Sequence, residues 1–76
     1  MDKESKKERF IRIAESRTNK IIDMIDLLGN CSNKHNYDYS QEDIKKIFDA
    51  IEQKLKVTKS KFEMEESNKQ RFTLKD

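Results

Sequence analysis

Two stretches of the chain place a residue of a mainly apolar set at alternating gaps of four and three. The first runs through Phe10, Ala14, Arg17, Ile21, Met24 and Leu28, the second through Ile44, Phe48, Ile51, Leu55, Thr58 and Phe62. An α-helix turns once in about 3.6 residues, so this alternation lays each set along one stripe of a helix. Arg17 is the charged intruder. Ile11, Ile13, Ile22, Ile25 and Leu27 widen the first stripe, and Ile47 and Ala50 flank the second. The first helix thereby has more apolar surface than one partner helix covers. The pattern predicts an all-α protein with a helix over about 4–28, a turn over 29–40 and a helix over about 41–65. Residues 1–66 would form an antiparallel helical hairpin and 67–76 a short C-terminal tail.

The element boundaries have chemical markers. Gly29 accepts the left-handed backbone that ends many helices, and Asn30 follows it, so the first helix is expected to stop at Leu28 or Gly29. Ser40 is placed to cap the second helix, and Asp43, three residues on, reaches back as a short form of the capping-box glutamate. Tyr39 and Ile44 occupy the hydrophobic-staple positions on either side of that cap. Glu42 and Asp43 also put negative charge in the first turn, where the helix dipole favours it.

Folded back antiparallel, the stripes set Leu28 against Ile44, Met24 and Ile25 against Phe48, Ile21 against Ile51, Arg17 near Leu55 and Phe10 against Phe62. Pairs four apart, Glu8 with Arg12, Glu52 with Lys56, Lys59 with Glu63 and Lys61 with Glu65, would each add about 0.3 kcal/mol to helix stability. Beyond Phe62 the stripe is lost, so the second helix is expected to fray in the sixties, with Phe72 and Leu74 docking or lying in a tail. A lone hairpin of 76 residues barely offsets its chain entropy. Two hairpins joined as a homodimeric four-helix bundle bury the widened stripes of both chains, and this dimer is the expected assembly.

Composition changes this picture little. Charged residues make up 42% of the chain against 33% hydrophobic, yet the net charge is only +2, and the periodic apolar positions separate the sequence from disordered chains of similar polarity. The lack of proline and the single glycine leave room for long helices. One cysteine forms no intramolecular disulfide, no apolar leader is evident, and no apolar run approaches the ~18 residues that span a bilayer. A cytoplasmic location and no membrane association are therefore expected.

The interruption LLGNCSNKHNYDYSQEDI, from Leu27 to Ile44, gathers the single Gly, Cys and His and both tyrosines. Cys31 and His35 are four apart, but zinc sites draw three or four protein ligands and no further Cys or His exists, so no metal is expected. A calcium loop starting at Asp38 would need glycine where Asp43 stands and glutamate where Asp49 stands. Cys31 and His35 as nucleophile and base lack a third orienting group and an oxyanion hole. Neither an enzymatic activity nor a cofactor is expected. The asparagines suit a turn, because Asn bonds its own backbone. Tyr37 and Tyr39 either pack over that turn or, with Asn33 and Asn36, form an exposed recognition loop.

The first twenty residues hold seven bases against the four acids Asp2, Glu4, Glu8 and Glu15. Arg9, Arg12 and Lys20 share a helix face with Ser16 and make a candidate phosphate-binding surface, although the long turn departs from a helix-turn-helix. Arg17, with Thr18 and Asn19 beside it, sets polar groups into the apolar stripe. It either snorkels to water or takes a partner, for which Glu52 or an acid of another chain is suited.

The strings RFIRIAESRTNKIIDMIDLLGNCSN, YDYSQEDIKKIFDAIEQKL and KSKF, between Arg9 and Phe62, resemble small helical proteins carried on plasmids, integrative elements and phages of Gram-positive bacteria. The resemblance implies an accessory role on a mobile element. It brings no functional residue with it. Three functions are consistent with the whole reading: a non-enzymatic interaction or regulatory module acting as a homodimer; an anti-CRISPR-like inhibitor that binds a host defence nuclease; and, third, a nucleic-acid-binding accessory protein.

Overall fold

The computed structural model describes residues 3–69. They form two α-helices, α1 (Lys6–Gly29) and α2 (Gln41–Lys69), with one turn of 3₁₀-helix at Asn30–Ser32 directly after α1. No strand occurs among the described residues. The chain divides into two units, Met1–Asp38 and Tyr39–Asp76, each built on one helix.

The α1 helix begins later than periodicity alone suggests, because a capping box fixes its start. The Ser5 backbone is extended, the Glu8 N–H donates to Ser5 Oγ at 3.0 Å, and the Ser5 N–H donates to Glu8 Oε1 at 2.9 Å. Two backbone donors that a helix start leaves unpaired are thereby satisfied. Glu8 serves this box, while Arg12, its expected ion-pair partner, turns to Glu4.

The other end differs from expectation in mechanism. Gly29 is right-handed (φ −59°, ψ −29°) and leads straight into the 3₁₀ turn. The Asn30 N–H, shared between the carbonyls of Leu27 and Leu28, tightens the last turn. No left-handed residue is needed there, since the short bonds of the 3₁₀ turn satisfy the terminal carbonyls.

The α2 helix starts as Ser40 and Asp43 suggest. The Ser40 N–H donates to Asp43 Oδ2 at 2.9 Å and the Asp43 N–H to Ser40 Oγ at 3.1 Å. Tyr39 and Ile44, at the staple positions, are both half-buried. Lys45 reaches Asp49 at 2.7 Å, and Lys46 stands 3.9 Å from Glu42. The spacing is the same at Glu52 and Lys56, Lys59 and Glu63, and Lys61 and Glu65, but no ion pair forms at these exposed sites. The helix continues through Lys69, past the expected end near 65. Its last stretch carries Glu63, Met64, Glu65 and Glu66 and lacks Gly and Pro, so no breaker stops the helix where the apolar stripe has gone. Phe72, Leu74 and the rest of the expected tail beyond Lys69 lie outside the described residues.

Neither helix encloses a core within its own unit. Among the described residues none is buried, and Phe10, Ile21, Met24, Phe48, Leu55 and Phe62 are each between 46% and 63% exposed. Ile13, Ala14 and Leu28 in α1 and Ile44 and Ile51 in α2 are half-buried. Among the described residues, no helix is long and apolar enough to cross a membrane.

Two substitutions test the helix ends. A Cβ added at Gly29 meets nothing within 4 Å, and the backbone there is already helical. Gly29→Ala is expected to raise stability by about 0.4–1 kcal/mol in denaturant melts, whereas a left-handed Gly29 would make it destabilising. Ser40→Ala is expected to cost about 1 kcal/mol through the lost cap, read by circular dichroism during thermal melting.

Candidate functional site

The turn after α1 is organised by Asn33. Its side-chain Oδ1 accepts from the His35 N–H at 2.9 Å, while its carbonyl accepts from the N–H groups of Asn36, at 3.1 Å, and Tyr37, at 3.0 Å. Its own N–H donates to the Asn30 carbonyl at 3.4 Å. This is an Asx turn, in which a short polar side chain replaces a backbone group and pulls the chain round. Asn33, a candidate for partner contact by sequence, has its side-chain oxygen engaged in holding the turn. Asn36 follows it in the same turn.

The two tyrosines part company. Tyr37, in the first unit, is 51% exposed, so it presents much of its ring to solvent. Tyr39, at the start of the second unit, is half-buried beside the α2 cap. The packed-turn reading suits Tyr39; the exposed-contact reading suits Tyr37. A tyrosine ring held out on a hydrogen-bonded turn offers a large, semi-rigid contact area with a hydroxyl at its tip.

Cys31 is a free, exposed thiol in the 3₁₀ turn, and His35 is exposed in the turn that follows. Among the described residues no group of three or more His, Cys, Asp or Glu side chains is placed to hold a metal ion.

The basic face of α1 is altered by a contact that helical spacing does not foresee. Arg12 Nε and Nη2 donate to Glu4 Oε2 and Oε1, both at 2.8 Å, in a two-pronged fork. Such forks are the stronger form of charged hydrogen bond. The Arg12 hydrogen bonds hold the Glu4 carboxyl below its ordinary range, and the same contact raises the Arg12 pKa. Arg12 is therefore paired within its own chain, in a contact that remains open to solvent. Arg9 and Lys20 remain exposed on that face, but eleven residues of helix separate them by roughly 16 Å, too far to grip one phosphate. A shallow groove on α1 between Glu8, Ile11, Arg12, Glu15, Ser16 and Asn19 adds two acids to the neighbourhood, which disfavours an anion. Lys7 Nζ sits 6.0 Å from the centre of the Phe10 ring, at the outer limit of a cation–π contact. Arg17, in the apolar stripe, is exposed.

The structure adds Glu4, Ser5 and Glu8 to the residues that matter at this end. The string Ser-Lys-Lys-Glu at 5–8, just before an apolar run, is a legible capping-box signal. The Glu4–Arg12 fork has no such signal, because Glu4 lies outside the helix and no periodic template links positions eight apart across its start.

Glu4 should titrate below the ordinary glutamate range when its side-chain carboxyl shift is followed by NMR, and Arg12→Ala should raise it. The sign follows from linkage: a depressed carboxyl pKa adds stability above the unfolded value, and this is lost as pH falls through the folded value. Because the pair is exposed, high salt should reduce the difference. At the turn, Cys31→Ser and His35→Asn should leave stability and partner binding nearly unchanged, whereas loss of binding in Cys31→Ser with an intact fold would reveal a reactive site. Tyr37→Ala should leave the melting curve in place while weakening any partner that uses the turn.

No family model, curated protein or solved structure matches the chain.

Proposed function

We propose that this protein is a non-enzymatic interaction module whose working form is a homodimer of antiparallel helical hairpins, a four-helix bundle, serving as an accessory protein of a mobile element in the cytoplasm. The observation that carries this reading is the apolar surface of α1 and α2, which neither unit encloses by itself. Helices in proteins take most of their stability from packing an amphipathic face against a partner. Closing α2 onto α1 covers the main stripes, sets Phe10 against Phe62 and brings Glu52 towards Arg17. A second hairpin then covers the widened edges. The resemblance to small plasmid and phage proteins supports the accessory role.

The second reading is a binding inhibitor of a host defence nuclease, and the exposed Tyr37 on its hydrogen-bonded turn is the observation in its favour. Nucleic-acid binding stands third, since Arg12 already holds Glu4.

Sedimentation at micromolar concentration should give a dimer, and the melting temperature should rise with protein concentration, as mass action requires of folding coupled to association. A well-folded monomer at high micromolar concentration would overturn the dimer. Phe48→Ala should cost about 3 kcal/mol if its ring is enclosed in the bundle, and a shift of only a few tenths would place Phe48 outside it. Affinity capture from a host lysate separates the readings further: a stoichiometric nuclease favours the inhibitor, and recovered nucleic acid favours the third.

A further inference from the structure

We draw no further inference here: the strongest candidate, the exposed apolar face of α1 around Phe10, Ile21, Ile22 and Met24, is an unpartnered helix surface, and nothing in the structure shows what covers it.

Discussion

The rest of this structure depends on apolar surface that a single helix has no means of hiding. Ordering a residue costs on the order of 1–2 kcal/mol of backbone entropy, while a helix cap returns about 1 kcal/mol and an exposed ion pair less. The capping boxes at Ser5 and Ser40 and the ion pairs at Arg12 and Lys45 therefore fix where the helices start and how their surfaces are dressed. They are too small to hold 24 and 29 residues in helical form. The energy must come from removing Phe10, Ile21, Met24, Phe48 and Leu55 from water, at about 1.5–3 kcal/mol for each large side chain fully enclosed. In the proposed dimer, folding and association are therefore aspects of one process.

Much of the secondary structure was legible in the sequence because its causes are local. The four-and-three alternation identifies two helices, and Ser40 with Asp43 marks the start of the second by a pattern that needs only contiguous residues. The Ser5–Glu8 box has the same local signature, yet periodicity alone passes over it and starts the first helix at about residue 4. The Gly29 boundary shows where local reading goes astray: glycine permits a left-handed stop, but permission is not requirement, and the 3₁₀ turn at Asn30–Ser32 meets the same hydrogen-bonding need with right-handed geometry. The Glu4–Arg12 fork was hidden because two flexible side chains meet across a helix start. The extension of α2 through Lys69 shows propensity outlasting periodicity.

For the candidate surfaces, residue type gave the inventory and geometry assigned the roles. Asn33 serves the turn with both its side chain and its backbone, while Tyr37, four residues on, extends into solvent. Arg9, Arg12 and Lys20 share a face as their spacing requires, but Arg12 is paired with Glu4, so an anion there would compete with that exposed contact. Sequence counts bases; it does not show which of them already have an acid.

Both helices begin with the same device, a serine whose hydroxyl and backbone exchange hydrogen bonds with an acid three residues later. Because all four partners lie within one turn of chain, each start forms without any distant contact, and the costly nucleus of helix formation is placed at a known end. Helical structure can therefore flicker into existence in each segment before the segments meet. In the proposed homodimer the slow event would be the encounter of two preformed faces, so that maturation would follow how often copies collide, and the concentration of the chain would control how quickly it starts to work.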